Sequence, residues 1–148
     1  GLFLLWGLIA DYIAAGNFST PTLRVKYPVH PGDTISIQFI QGARDQLYLR
    51  KITLALKHVE KYVVGSGKHK RTVTNELHDD ERVYDVEVLC SPGQQFDFAE
   101  EFTLPETGVP TMKDSNGHDF LWRFEIKIDV KNSPDYHAVL PMVVSVRV

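Results

Sequence analysis

The segment His118–Val130 constrains the fold of this chain more than any other part of the sequence. Its large apolar side chains occupy every second position, and charged side chains occupy the positions between them. A period of two is typical of a β-strand with one buried face and one solvated face. A shift of one residue in its pairing would bury four charged side chains, so its register is strongly specified. The apolar set is Trp122, Phe124, Ile126, Ile128 and Val130, and the charged set is Arg123, Glu125, Lys127 and Asp129.

The chain after Asn17 repeats this alternation in short segments separated by turn residues, without a convincing helical period. With 148 residues, the chain is long enough for one substantial core and too short for two typical domains. These features predict one all-β domain over residues 17–148, a two-sheet antiparallel sandwich of immunoglobulin-like type. The other predicted strands are Thr22–Tyr27, Thr34–Gln41, Leu47–Val64, His69–Leu77, Arg82–Cys90, Gln94–Pro105 and Tyr136–Val148.

Two stretches of this pattern predict irregular structure. The long strand Leu47–Val64 changes phase near His58, which indicates a bulge or a bend. It forms a hairpin with the segment that follows Gly65-Ser66-Gly67-Lys68, and we expect the outer part of this hairpin to stand in solvent. The acidic run Asp79-Asp80-Glu81 is expected to be the next loop, and Glu106–Gly117 is expected to be a surface loop.

The N-terminal segment, residues 1–16, differs from the rest because most of its side chains are apolar. Its apolar run is interrupted at Asp11 and is shorter than the roughly 20 residues that a membrane-spanning helix needs. Three interpretations remain open: the end of a transmembrane helix with Trp6 and Tyr12 near an interface, an amphipathic or core-packing helix on the domain, or the remnant of a signal peptide. The membrane interpretation leads, and the absence of a basic stretch disfavours the signal peptide.

Charge and cysteine content exclude several classes of function. The chain has 16 Lys and Arg against 19 Asp and Glu, so it lacks the clustered basic face that a nucleic-acid partner requires. Cys90 is the only cysteine, which excludes an internal disulfide and a multi-thiolate metal site and fits a reducing compartment.

The residues that could carry chemistry form no recognisable catalytic or cofactor motif. The six histidines lack the local spacing of metal ligands, and Cys90 falls on the apolar face of its strand. The run from Asp114 to Asp119 alternates oxygen-bearing side chains, as a calcium loop would, but an ordinary Asn-Gly turn explains it better. Ser66 lies between glycines without the strand-turn-helix elbow of a hydrolase. We therefore predict no catalytic, cofactor-binding or metal-binding residues, and a hydrolase or metal-dependent enzyme is the last of our hypotheses.

The order of features along residues 23–148 resembles an arrestin-like β-sandwich. It looks most similar to the single arrestin-like domain attached to membrane segments in some bacterial proteins of uncharacterised function. The resemblance implies a module that docks partners in scaffolding, trafficking or regulation, and not an enzyme. The features are Pro28-Val29-His30-Pro31-Gly32-Asp33 before Thr34-Ile35-Ser36-Ile37, Ile52-Thr53-Leu54-Ala55-Leu56 running into Glu60-Lys61-Tyr62, Thr72-Val73-Thr74, Phe102-Thr103-Leu104-Pro105, and Trp122 followed by Phe124-Glu125-Ile126.

The basic stretch at the predicted hairpin tip supplies the candidate binding residues Lys68, Lys70 and Arg71. Near a membrane each basic side chain would contribute about 1 kcal/mol of attraction to anionic headgroups, whereas the plainer interpretation is a tip kept soluble by charge. We expect a non-catalytic protein-interaction or scaffolding module of a membrane-associated protein, with the sandwich facing the cytoplasm and a protein as partner. The alternative is a secreted or surface sandwich that binds carbohydrate or mediates adhesion.

Overall fold

The computed structural model describes the backbone of residues 2–6, 11–13 and 15–147 and the side chains of residues 16–147. The regular structure in these residues is almost entirely β-strand, with short 3-10 turns at Ala15–Asn17 and Gly67–His69. The strands are β1 (Leu2–Trp6), β2 (Asp11–Ile13), β3 (Thr22–Tyr27), β4 (Thr34–Gly42), β5 (Leu47–Val64), β6 (Arg71–Cys90), β7 (Gln95–Thr103), β8 (Met112–Lys113), β9 (Asp119–Val130) and β10 (Tyr136–Met142).

The strands form two antiparallel sheets, which confirms the predicted all-β sandwich. The smaller sheet has the order β1-β3-β4-β7, and the larger sheet has the order β2-β10-β9-β5-β6, with β8 beside the start of β9. Within the described residues the larger sheet is therefore one strand wider along its main path than the smaller sheet. β6 and β7 are the last strands of their sheets on the same side of the sandwich.

Strand β9 supplies the centre of the core. All five predicted apolar side chains, from Trp122 to Val130, are buried, so the predicted register is confirmed. The smaller sheet faces them with apolar side chains of its own, and the Phe102 and Phe124 rings meet edge to face at 5.4 Å between centroids. Trp122 also holds the loop before β8, because its Nε1 donates a hydrogen bond to the Val109 carbonyl at 2.7 Å.

The hairpin of β5 and β6 is longer than predicted. The phase change near His58 is confirmed as a register shift between His58 and Val59. The expected acidic loop at Asp79-Asp80-Glu81 is wrong, because β6 continues through it as one strand of 20 residues. An edge strand tolerates this charge since its side chains reach solvent, and Asp79 stands opposite Lys57 in the pairing with β5, where opposite charges stabilise a cross-strand pair.

The N-terminal segment does not form the expected helix in its described residues. β1 pairs with β3 from Leu2 opposite Tyr27 to Trp6 opposite Leu23, and β2 pairs with β10. The physical reason is that β3 and β10 would otherwise present unpaired N–H and C=O groups, which a neighbouring extended segment satisfies. Residues 1, 7–10 and 14 lie outside the described residues. No helix among those described is long and apolar enough to cross a membrane.

The C-terminal strand is shorter than predicted. β10 ends at Met142, and beyond it Val144 is buried whereas Val146 is 66% exposed. The chain leaves the strand because its backbone finds other partners: Ser145 N donates to the Val29 carbonyl at 2.7 Å, and Thr111 N donates to the Val144 carbonyl at 2.8 Å. Val148, the last residue of the predicted strand, lies outside the described residues.

The central position of β9 gives the first testable prediction. Trp122→Ala removes a fully buried ring and its hydrogen bond to Val109, and should lower the free energy of unfolding by about 3 to 5 kcal/mol or prevent folding. Lys127→Ala on the solvated face of the same strand is the control and should change stability by less than about 0.5 kcal/mol. The free energy of unfolding of both variants is measured by urea denaturation. Unfolding is monitored by far-ultraviolet circular dichroism, a backbone signal that does not rely on Trp122. Equal effects of the two substitutions would contradict the register of β9.

Candidate interaction surface

The tip of the β5–β6 hairpin carries the three predicted binding residues. Pairing of β5 with β9 stops at Lys61, so the hairpin beyond it projects from the sandwich. Lys68, Lys70 and Arg71 are all exposed there, and none has an ion-pair partner among the described residues. Gly65 makes the turn, since its φ of 85° is left-handed and an added Cβ would lie 2.4 Å from the His69 carbonyl oxygen. The structure thus brings the three cations to one solvated tip.

A row of aromatic and histidine side chains crosses the base of this hairpin. His58 lies opposite His78 on β6 and opposite Trp122 on β9. The His58 and Trp122 rings stack with centroids 4.0 Å apart, and His58 is 2% exposed. The Nε2 atoms of both histidines are buried without a hydrogen-bond partner among the described residues.

Burial sets the protonation state of His58. Removal from water, and then the nearby His78, lowers the pKa of His58 from 6.5 to about 4, and the backbone of Val109 opposes this shift. His58 is therefore neutral in the folded protein near pH 7 and acts as an aromatic part of the core.

The other candidate chemical groups take part in local structure. His118 Nδ1 lies 2.9 Å from a Glu60 oxygen, where the side-chain hydrogen bond lowers the pKa of Glu60. The Asp114 carboxylate accepts hydrogen bonds from the backbone N–H groups of Asn116 and His118, both at 2.9 Å, as expected for the Asn-Gly turn. Among the described residues, no group of three or more His, Cys, Asp or Glu side chains could hold a metal ion.

The lone thiol lies in the core. Cys90 is 1% exposed at the end of β6, and burial raises the pKa of its thiol. A thiol that is buried and protonated is a poor nucleophile. The position of Cys90 on the apolar face of its strand, predicted from the alternation, is confirmed.

The open side of the sandwich, where β6 and β7 end their sheets, holds an apolar cleft of about 180 Å³. It forms because no strand of the smaller sheet, in the part of the chain that is described, covers the inner face of β6. Tyr84 partly bridges the two sheets, with its ring 5.2 Å from that of Phe98 and its hydroxyl donating to Glu100. The apolar lining comes from Leu49, Ile52, Tyr84, Val86, Val88, Phe96 and Phe98.

The outer edge of β7 presents backbone groups that have no strand partner among the described residues. The Glu101 carbonyl points away from β4, since it accepts a hydrogen bond from Arg82 Nη2 at 3.3 Å. The Glu101 N–H also points outward and donates to the adjacent Glu100 side chain at 3.0 Å. In an antiparallel pair this direction repeats at every second residue, so Asp97 and Ala99 turn their N–H and C=O groups outward as well.

The edge of β6 is less regular than the edge of β7. Glu87 has a φ of 43°, which is unusual for a residue other than glycine, and the register with β5 shifts between Leu49 and Lys51 beside it. The Glu87 carboxylate accepts a hydrogen bond from the Tyr48 hydroxyl at 2.7 Å and helps hold this bulge. Bulges of this kind hinder the pairing of a further strand. β7 pairs with β4 over its full length without a shift, so it is the regular edge.

Sequence reasoning missed this cleft. Periodicity finds strands and their buried faces, but it does not say which two strands end their sheets on the same side. One signal was present: the segment 83–103 alternates apolar and polar residues yet contains five Asp and Glu and no Lys, Arg or His.

The comparisons with known proteins support the fold. No protein-family model matches the chain, and no curated protein sequence matches it. Among solved structures the chain is similar to the crystal structure of Spo0M, a sporulation control protein from Bacillus subtilis, with a TM-score of 0.55 and 14% sequence identity. The similarity covers 100% of this chain and 50% of Spo0M, so the chain spans half the length of that protein. The chain has an arrestin-like all-β sandwich fold, as the resemblance implied.

The buried state of His58 gives the second prediction. Its folded pKa of about 4 lies below the ordinary 6.5, so the unfolded chain binds the proton first as the pH falls. The free energy of unfolding is therefore unaffected by the protonation of His58 above pH 6.5. It falls by on the order of 2 to 3 kcal/mol as the pH falls toward 4. Thermal unfolding between pH 7.5 and pH 4.5 measures the effect.

The variant His58→Phe keeps a ring on Trp122 and should show a flatter dependence of melting temperature on pH than the parent protein. His69→Phe at the exposed hairpin tip is the control and should keep the parent's dependence. Identical pH profiles for the parent and His58→Phe would show that His58 is not held neutral.

Proposed function

We propose that this domain is a non-catalytic module that regulates or scaffolds by binding another protein. The observation that carries the proposal is the open side of the sandwich, where the outward backbone of β7 borders the apolar cleft. An exposed regular strand edge beside apolar pockets is suited to binding by strand addition, in which the backbone supplies affinity and the pockets supply specificity.

The placement of the reactive side chains supports a role without catalysis. His118 is engaged with Glu60, Asp114 holds its own turn, and Cys90 is buried at the end of β6. An active site needs ionisable groups that converge on a space for substrate. The cleft is instead lined almost entirely by apolar side chains.

The fold it shares with Spo0M agrees with a regulatory role. Spo0M is a sporulation control protein, and the likeness extends over the whole of the present chain. A domain that binds another protein is suited to a control role.

Association with a membrane, with the sandwich on the cytoplasmic side, is the finer part of the proposal. Its support is the exposed cations of the hairpin tip. The cytoplasmic leaflet carries anionic lipids, and each nearby Lys or Arg gains about 1 kcal/mol from them. Lys68, Lys70 and Arg71 stand together at the end of a projecting hairpin, where they could reach such a surface.

Position-specific crosslinking in cells tests the proposal. A photoreactive amino acid is placed at Ala99 on the β7 edge, at Lys68 on the hairpin tip, or at Lys127 on the outer face of the larger sheet as control. We expect a discrete protein adduct from Ala99 or Lys68 and none from Lys127. Absence of adducts at both test positions, or equal adducts at all three, would contradict a protein-binding role.

Fractionation of the same cells tests the membrane part. The variant with Lys68→Gln, Lys70→Gln and Arg71→Gln should move from the membrane pellet to the supernatant, because it loses the attraction of three cations to anionic lipid. A parent protein found only in the supernatant would contradict membrane association and leave the protein-binding role to the crosslinks.

A further inference from the structure

We propose that an extended segment of a partner protein, with alternating apolar and basic side chains, adds to β7 as a new edge strand of the smaller sheet. This inference rests on the proposed function, and it names the surface and the chemistry of the partner. It follows from the direction of the β7 backbone, the uncovered inner face of β6 and the charge of the surrounding residues.

The backbone of β7 determines how the segment would pair. Asp97, Ala99 and Glu101 turn their N–H and C=O groups away from β4. A strand laid beside Asp97 and Ala99 makes the ladder hydrogen bonds of an antiparallel or parallel pair. At Glu101 it replaces the contacts with Arg82 and with the Glu100 side chain. On β6 the left-handed Glu87 and the register shift beside it interrupt the edge next to the cleft, whereas β7 has no shift there.

The inner face of β6 determines which side chains of the segment would be apolar. Side chains of the new strand that stand opposite Phe96 and Phe98 point into the sandwich. There they would lie over Tyr84, Val86 and Val88, which the smaller sheet leaves partly exposed and which line the cleft of about 180 Å³. Two apolar side chains in alternate positions fit this space, and their binding removes the apolar surface of the cleft from water.

The outer face of β7 determines which side chains would be basic. Side chains of the new strand that stand opposite Asp97 and Glu101 point to solvent beside those two exposed carboxylates. The whole segment 83–103 carries five carboxylates, at Asp85, Glu87, Asp97, Glu100 and Glu101, and no basic side chain. Arg82, just outside it, is paired with Asp80 and also donates to the Glu101 carbonyl, so it is the one cation beside this edge among the described contacts. Lys or Arg on the partner would therefore meet a surface of opposite sign.

The same charges argue against a second copy of this chain as the occupant. Two β7 edges placed side by side would bring Asp97 and Glu101 of both copies together, and β6 carries six Asp and Glu against two Arg. Like charges directly opposite each other destabilise strand pairs. The acidic edge thus prevents self-association and selects a basic partner.

Binding of short synthetic peptides tests the inference. The probe contains the run Lys-Val-Thr-Val-Lys between glycines, with blocked termini and a fluorescent label, so that both Val point inward when both Lys point outward. One control replaces each Lys by Glu, and a second reorders the run to Lys-Lys-Thr-Val-Val. Fluorescence anisotropy at low salt should show saturable binding of the probe, at least about tenfold weaker binding of both controls, and weaker binding at high salt.

Matched variants locate the site. Asp97→Lys with Glu101→Lys should weaken probe binding at least about tenfold and should restore binding of the Glu-containing control. Glu106→Lys with Asp135→Lys, which reverses two exposed charges outside β7, should do neither. Val88→Lys in the cleft should weaken binding, and Val83→Lys should not, since Val83 is an exposed apolar residue of the opposite face of β6. Circular dichroism confirms that each variant is folded.

Hydrogen exchange of the backbone amides identifies the binding mode. On titration with the probe, the N–H groups of Asp97 and Ala99 should gain protection from hydrogen exchange. Failure of the parent protein to bind the probe, equal binding of the reordered peptide, or protection at the hairpin tip in place of β7 would overturn the inference. Dimerisation through β7 at micromolar concentration would overturn it as well. A protein adduct at Lys68 in cells, with no binding at β7, would leave the proposed function standing and remove only this inference.

Discussion

The one-sided burial of β9 determines how the two sheets pack against each other. Its five apolar side chains occupy the middle of the larger sheet, where they contact the smaller sheet through pairs such as Phe124 and Phe102. At its start, Trp122 stacks on His58 and holds the loop before β8 through the Val109 carbonyl. The same strand therefore organises the core, the base of the hairpin and the loop that covers it.

The unequal width of the two sheets follows around this centre and produces the open side. The larger sheet extends through β5 to β6, whereas the smaller sheet ends at β7 in the described residues. The inner side chains Tyr84, Val86 and Val88 of β6 are then only partly covered, with two phenylalanines of β7 opposite them. Natural sheets protect such edges with bulges and charge. Here β6 has a bulge at Glu87, and β7 has carboxylates but keeps a regular backbone.

Alternation alone predicted much of the fold, because a half-buried strand leaves a period of two in the sequence. It placed β3 and β5 at their observed ends, gave the inner face of β9, and located the bulge at His58. It failed where tertiary surroundings override local composition. The acidic residues 79–81 lie in a strand because β6 is an edge, and the apolar residues 2–6 and 11–13 form strands because they complete two sheets. The cations of the hairpin tip were found from the turn that precedes them, whereas the cleft required knowledge of which strands share an open side.

The outer edge of β7 is open in the free protein. Residue-resolved hydrogen exchange tests it directly. Protection should alternate along β7, with slow exchange at Phe96, Phe98 and Glu100, which bond to β4, and fast exchange at Asp97 and Ala99, which face outward. Uniformly slow exchange along β7 would contradict an open edge, because it would mean that another strand already covers it.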